Sequence, residues 1–134
     1  MGFKKEDINL KEIIHTDNAP AAVGPYSQAV RAGDYLFISG QIGINPEDNN
    51  MAEGLEAQVK QVLTNLKAVV ESAGGSLNSI IKTTVMLQSM DDFKAMNEIY
   101  AQFFVSNPPA RAAFEVAALP LGALCEIQAV AFLG

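Results

Sequence analysis

The sequence predicts an α+β fold with the element order β-β-β-α-β-α-β-β, in which two helices cover one side of a six-stranded mixed sheet. Three observations lead to this prediction: short runs that alternate or are β-branched, two segments with helical apolar spacing, and Gly or Pro at most boundaries. A chain of 134 residues suits one core, so we expect a single domain over residues 1–134.

The first three strands are predicted near the start of the chain. The run KEIIH at 11–15 is compatible with a short edge strand. The Gly24-Pro25 pair indicates a loop that leads into a strand beginning near Tyr26. The Gly33-Asp34 pair is typical of a hairpin turn into the strand YLFISG. Alternation along that strand puts Leu36 and Ile38 on one face and Tyr35, Phe37 and Ser39 on the other.

Two segments show the apolar spacing of amphipathic helices. The first covers 52–73, and we expect Gly74-Gly75 to end it in the left-handed conformation. The second follows Ser89, a favourable N-cap, and runs to about residue 105 before Asn107-Pro108-Pro109 closes it. Its apolar stripe comprises Phe93, Met96, Tyr100, Phe103 and Phe104.

Three further strands complete the order. The β-branched run SIIKTTVMLQ at 79–88 is strand-like and lies between the two helices. Two more strands are predicted near 111–117 and 124–132, joined by LPLGA. With both helices on one side, the other face of the sheet must meet something else.

The composition favours a subunit of an assembly. Charged residues make up only 18% of the chain, whereas typical soluble domains have about 25%. A partner subunit packed on the uncovered sheet face would explain this deficit. The formal net charge of −6 disfavours binding to nucleic acid. No apolar run is long enough to span a membrane, and the first ten residues resemble neither a signal nor a transit peptide, so we expect a cytoplasmic protein.

The rarity of Cys and His limits the possible chemistry. Cys125 is the only cysteine and His15 the only histidine, so an internal disulfide and a cysteine-based metal cage are excluded. A metal site would need ligands that are nearly all carboxylates, so we expect none. Cys125 is interpreted as a core residue and His15 as a surface residue of the first strand. The glycines form no phosphate-binding motif.

Arg111 is the first candidate for a functional residue. It lies in PPARAAFEVAALP at 108–120, a small and apolar stretch without an acidic residue before Glu115. A guanidinium held in apolar surroundings needs a partner, and its paired N–H donors suit a carboxylate. That carboxylate belongs either to the protein, as Glu115, Glu126 or an acidic residue elsewhere in the chain, or to a ligand.

Glu126 is the second candidate, because it lies in the otherwise apolar strand ALCEIQAVAFL. It is either a general base that positions water, an edge charge, or the structural partner of Arg111. Tyr26, Ser39 and Asn97 each bring a hydrogen-bonding group into an apolar setting, where such groups are commonly structural.

Four longer phrases resemble the Rid family of reactive intermediate deaminases, RidA subgroup. They are NAPAAVGPYSQAV, YLFISGQIGINP, IIKTTVMLQSMDDFKAMNEIYAQFF and PPARAAFEVAALPLGALCEIQAVA. The resemblance runs from about residue 12 to the C-terminus. It implies a chorismate-mutase-like fold and a homotrimer, with three sites in the clefts between subunits. It also implies hydrolysis of 2-imino acids and their enamine tautomers, such as 2-aminoacrylate from PLP enzymes, to 2-keto acids and ammonia without a cofactor.

The resemblance assigns a role to each candidate residue. Arg111 corresponds to the arginine that clamps the substrate carboxylate, and Glu126 to the acidic residue that holds or activates water. Ala113 would hold the imine nitrogen through its backbone. Gln128 stands where relatives commonly have a glutamate. The implied pocket is also lined by Tyr26, Ser39, Gly40 and Asn97.

Two alternative functions remain open at this point. A non-catalytic trimeric module that binds small carboxylates for regulation would also use Arg111, but it would not require Glu126. A translation inhibitor or ribonuclease, labels also used for the family, is disfavoured by the acidic composition.

Overall fold

A computed structural model describes residues 11–134; the expectation that no leader is present concerns 1–10 and lies outside the described residues. Within these described residues, two α-helices and six strands make up the fold. The strands are β1 (Lys11–Ile14), β2 (Ala29–Ala32), β3 (Tyr35–Ile42), β4 (Ile80–Leu87), β5 (Ala110–Glu115) and β6 (Cys125–Phe132). The helices are α1 (Leu55–Ser72) and α2 (Phe93–Phe103).

The strands form one six-stranded mixed sheet in the order β1-β2-β3-β6-β4-β5. The β4–β5 pair is parallel, and the other neighbouring pairs are antiparallel. The C-terminal strand β6 is therefore central, and β5 is an edge strand. The predicted α+β class and element order are confirmed.

Helix α1 ends as the sequence predicts. Gly74 has φ 92°, which glycine adopts at low cost. The N–H of Gly75 donates to the carbonyl of Val70 at 2.9 Å, so a carbonyl of the last turn is satisfied. The buried stripe of α1 comprises Val59, Val62, Leu63, Leu66, Val69 and Val70.

Helix α2 is shorter than predicted. The Ser89 hydroxyl accepts the N–H of Asp91, so it caps a 3₁₀ turn over Met90–Asp92 rather than α2 itself. The helix stops at Phe103 because Phe104 leaves the helical conformation, with φ −106° and ψ 72°.

The prediction that the second strand begins near Tyr26 is wrong, because β2 begins at Ala29. The N–H of Tyr26 donates to the carbonyl of Gly24 at 2.8 Å, which closes a three-residue turn around Pro25. Tyr26 therefore lies in the loop. Strand β5 also ends at Glu115, earlier than the predicted 117.

The two faces of the sheet differ as the alternation in β3 predicts. Leu36 and Ile38 are buried in the core with both helices, whereas Tyr35 and Phe37 are about half exposed. On the open face, Tyr35 packs edge-to-face on Phe132, with 5.4 Å between ring centroids. This face presents large apolar side chains to the surroundings of the chain.

Neither helix of residues 11–134 combines the length and the apolar character that a membrane crossing requires.

Candidate functional site

Arg111 lies on edge strand β5 with its guanidinium against helix α2. Its Nη1 donates to Oδ1 of Asn97 at 2.7 Å. Its Cζ lies 4.9 Å from the ring centroid of Tyr100 and 5.5 Å from that of Phe93. Both distances are within the range of cation–π attraction. The two rings and one amide therefore orient the guanidinium while leaving further N–H donors for a ligand.

Helical spacing supplies this platform, because residues 93, 97 and 100 share one face of α2. The Tyr100 hydroxyl is 2.7 Å from Oγ1 of Thr83 in the buried interior, which holds the ring in position. Burial raises the pKa of Tyr100, while the Thr83 hydrogen bond opposes that shift. The phenol therefore stays neutral at physiological pH.

Among residues 11–134, Arg111 forms no ion pair with a carboxylate. Glu115 instead accepts the backbone N–H of Met90 at 3.0 Å. The hypothesis of a structural ion pair with Glu115 or Glu126 is therefore wrong for the described chain. Arg111 is also exposed rather than buried, so a single chain stabilises it by stacking and leaves one side open.

The backbone N–H and C=O of Ala113 point outward from the open edge of the sheet. The N–H of Val116 donates to the carbonyl of Leu87 at 3.0 Å, and Val85 pairs with Ala113 in the parallel ladder. In such a ladder, only alternate residues of an edge strand bond to their neighbour. Because Val116 is one of them, Ala113 is not, and its N–H and C=O face the open edge on the strand that carries Arg111.

Glu126 lies on central strand β6 beside a β-bulge in β3. The register of the β3–β6 pair shifts between Ile38 and Gln41, and Gly40 lies in that shift. A Cβ added at Gly40 would be 2.9 Å from Cδ of Glu126, closer than real Cβ contacts allow. The missing side chain of Gly40 therefore makes room for the carboxylate. Burial raises the pKa of Glu126.

An open cavity of about 690 Å³ surrounds Glu126. Tyr26, Ser39 and Gly40 line it, together with Val23 and Leu121. The Ser39 hydroxyl donates to the carbonyl of Ser27 at 2.6 Å. Its proton therefore fixes the loop before β2, and only its oxygen remains as an acceptor for a ligand.

The two groups of residues lie on opposite faces of the sheet. Thr83 of β4 pairs with Arg111, and Met86 of the same strand pairs with Glu126. Side chains alternate along a strand, and directly paired residues share a face. Because residues 83 and 86 are separated by an odd number of positions, Arg111 is on the helix-covered face and Glu126 on the open face.

A single chain therefore holds two separate half-sites. We call Arg111, Asn97 and Ala113 the arginine half-site, and Glu126, Gly40, Ser39 and Tyr26 the glutamate half-site. The first offers donors for an anion. The second offers an acceptor for the protons of water.

No group of three or more His, Cys, Asp or Glu side chains within 11–134 is arranged to hold a metal ion. Cys125 is fully buried, and burial raises the pKa of its thiol to about 12. His15 is exposed and lies 3.1 Å from a carboxylate oxygen of Asp17. Cys125 is the core residue that the sequence predicts. His15 is a surface residue as predicted, but it lies just after β1, which ends at Ile14, rather than within the strand.

Comparison with known proteins identifies the family to which a chain with this fold belongs. A crystal structure of RidA from an Antarctic Psychrobacter bacterium is similar, with a TM-score of 0.89 and 48% identity, and the match covers 90% of this chain and 98% of that one. The family model described as endoribonuclease L-PSP matches residues 16–133. This chain belongs to the Rid family.

Curated relatives of this Rid-family chain cover nearly its whole length. A RutC family protein of Pyrococcus horikoshii is 52% identical over 124 residues, which is 92% of this chain and 98% of the relative. A human protein named 2-iminobutanoate/2-iminopropanoate deaminase is 46% identical over 126 residues, covering 93% of this chain and 92% of the relative.

Sequence reasoning missed two parts of this Rid-family site. The apolar stripe of α2 predicts only a core role for Phe93 and Tyr100, although their spacing around Asn97 indicates a shared face. Gln28 was overlooked: it is 2% exposed, and its amide bonds to the backbone of Thr16, Ala19 and Pro20. In the sequence, a single Gln after a Gly-Pro loop does not indicate that its amide holds the backbone of residues 16–20 in place.

Proposed function

We propose that this chain hydrolyses 2-imino acids and their enamine tautomers to 2-keto acids and ammonia. The observation that carries the proposal is the guanidinium of Arg111, which is oriented by Asn97 and two aromatic rings and has no carboxylate partner within residues 11–134. The names of the relatives support the choice of substrate class.

The arginine half-site binds the substrate carboxylate in this proposal. Two parallel N–H donors of Arg111 match the two carboxylate oxygens, and charge assistance makes such bonds strong. The outward N–H and C=O of Ala113 lie on the same strand. The carbonyl is suited to accept a hydrogen bond from the protonated imine nitrogen.

The glutamate half-site activates water. A protonated imine is already electrophilic at C2, so catalysis needs orientation and a base rather than a nucleophilic side chain. Glu126 takes a proton as the water oxygen bonds to C2, which gives a carbinolamine. Glu126 then returns this proton to the amino group, the C–N bond breaks, and ammonia leaves. The hydroxyl proton passes to Glu126 and on to solvent, so the former water oxygen becomes the keto oxygen. No electrons enter or leave, so we assign no cofactor.

The complete site requires two copies of the chain, because the half-sites lie on opposite faces of one sheet. A homotrimer with a site in each cleft between subunits satisfies this requirement. The apolar open face, with Tyr35 and Phe37 half exposed, is suited to cover by neighbouring subunits.

Mixing two inactive variants tests the shared site. We expect Arg111→Ala and Glu126→Gln each to retain about 1% of wild-type activity or less. After joint unfolding and refolding in equal amounts, about one quarter of clefts in a cyclic assembly combine both intact half-sites. Activity should then recover to about that fraction of the wild type. Recovery below a few per cent, with mixed trimers present by native mass spectrometry, contradicts a site between subunits.

Trapping of the imine tests the activity itself. An amino-acid oxidase generates 2-imino acids in situ, and semicarbazide traps them as a product that absorbs in the ultraviolet. We expect wild type to suppress trapping and Arg111→Ala not to. Equal suppression by both proteins would separate the activity from Arg111. No suppression by either, combined with saturable 2-ketobutyrate binding, would favour the regulatory binding module.

The pH dependence of kcat should reflect the environment of Glu126. Only the ionised carboxylate accepts a proton, and burial raises its pKa. The acid limb of the profile should therefore lie above the ordinary glutamate range of about 4.3. In Glu126→Gln this limb should be absent from the residual activity. A limb that persists unchanged in that variant would assign the titration to another group.

Gly40→Ala should displace the Glu126 carboxylate, because the added Cβ has no room beside it. We expect at least a roughly tenfold lower kcat, since general-base catalysis depends on position and contributes about 100-fold or more. Gly24→Ala is the matched control, because its Cβ would meet nothing closer than 3.6 Å. Equal kcat in Gly40→Ala and wild type would contradict the close approach.

The family description as an endoribonuclease supplies a second candidate function. A net charge of −6 opposes contact with a phosphate backbone, which needs a basic surface. RNA cleavage that persists after repeated purification and disappears in Arg111→Ala would revive this candidate.

A further inference from the structure

An unusual turn precedes strand β6. Leu121 has φ 56° and ψ 26°, and the next residue, Gly122, has φ 69°. The N–H of Ala123 donates to the carbonyl of Pro120 at 3.0 Å and closes the turn. Two successive left-handed residues define the type I′ turn, in which Gly, Asn and Asp dominate both central positions. Leucine is unfavourable there, because its Cβ approaches the following carbonyl oxygen.

Core packing does not explain the leucine. Its side chain is 76% exposed in the chain, so folding gains little from burying it. It instead lines the cavity that contains Glu126, as do Val23, which is also largely exposed, and Tyr26, which is half exposed. Backbone strain at a ligand cavity is an indication of function when the surrounding fold does not need it.

We propose that Leu121 is a specificity-determining residue that contacts the substrate side chain. With Val23 and Tyr26 it forms an apolar subsite beside Glu126, and this subsite favours 2-imino acids with long alkyl side chains over the alanine-derived one. The inference rests on the proposed function for its substrate class.

The subsite makes a quantitative prediction about chain length. Each methylene buried against an apolar wall changes kcat/KM by about fourfold. Wild type should therefore hydrolyse the leucine-derived imine with a higher kcat/KM than the alanine-derived one.

The decisive variant is Leu121→Asn, because asparagine suits the left-handed turn but removes the apolar contact. We expect the leucine-to-alanine ratio of kcat/KM to fall about tenfold, which corresponds to losing between one and two methylene contacts. Relief of strain should raise Tm by about 2–4 °C at the same time. A purely structural role predicts a lower Tm.

Val105→Asn is the matched control, since Val105 is 83% exposed but does not line the cavity. It should leave the leucine-to-alanine ratio of kcat/KM unchanged.

Binding of the two corresponding 2-keto acids separates this inference from the proposed function. By calorimetry, wild type should bind 4-methyl-2-oxopentanoate more tightly than pyruvate, and Leu121→Asn should lose that preference. This result supports the subsite even if no hydrolysis occurs. An unchanged ratio in the variant, or loss of the trimer by native mass spectrometry with Leu121→Asn, overturns the inference even if the wild type is an active deaminase.

Discussion

Arg111→Lys should lower kcat/KM for 2-imino acids about 100-fold. Lysine keeps the charge but loses the planar fork, the stacking on Tyr100 and Phe93, and the 2.7 Å bond to Asn97. Hydrogen bonds to charged groups contribute about 1.5–3 kcal/mol each, and every 1.36 kcal/mol changes the rate about tenfold. Steady-state kinetics with trapped imines measures the loss.

The control for this variant is Arg31→Lys. Arg31 lies on β2 and donates from Nε to the carbonyl of Gly33 at 3.0 Å, outside both half-sites. Its replacement should leave kcat/KM within about twofold of wild type, as surface substitutions away from sites usually have small effects. Near-wild-type turnover in Arg111→Lys would defeat the role of Arg111 as a carboxylate clamp.

Glu126→Gln should lower kcat by between about 100-fold and 10,000-fold, the usual contribution of a positioned general base. The amide keeps the shape of the side chain but does not accept the proton of water. Binding of 2-ketobutyrate should remain within a few-fold of wild type, because the arginine half-site holds the carboxylate. Loss of catalysis with retained binding would distinguish an enzyme from a binding module.

The same variant should raise the Tm at pH 7. Burial raises the pKa of Glu126 in the folded chain, so folding favours the protonated carboxyl. The resulting stabilisation is present below the unfolded pKa and is lost as pH rises through the folded pKa. Glutamine imitates the neutral form, so the gain in Tm should vanish at low pH. Glu12→Gln, on exposed edge strand β1, is the control. Its Tm should match that of wild type both at pH 7 and at low pH.

Local sequence patterns predict most of the fold because each acts within a few residues. The apolar spacing of α1 and the glycine at its end determine that helix without reference to the rest of the chain. The predicted start of β2 near Tyr26 is too early, because a backbone hydrogen bond from Tyr26 to Gly24 places Tyr26 in the turn around Pro25. No side chain in the sequence indicates this backbone bond.

The family resemblance implies a site between subunits, but composition and spacing do not reveal which residues lie on which face of the sheet. The sequence predicts how side chains alternate within one strand. Whether Arg111 and Glu126 lie on the same face of the sheet depends on the register of β4 with both of its neighbours. That register depends on β6 returning to the centre of the sheet from the end of the chain. The bulge that places Gly40 against Glu126 likewise arises from pairing between distant strands.

The reactivity of Cys125 reports how often the folded chain opens far enough to expose strand β6. Its side chain is fully buried in a central strand, and a thiol with a pKa of about 12 is nearly free of the reactive thiolate at neutral pH. An alkylating reagent should therefore modify the native protein only through openings that expose β6. Because no second cysteine competes, the labelling rate, compared with that of an unfolded peptide, measures the free energy of those openings directly.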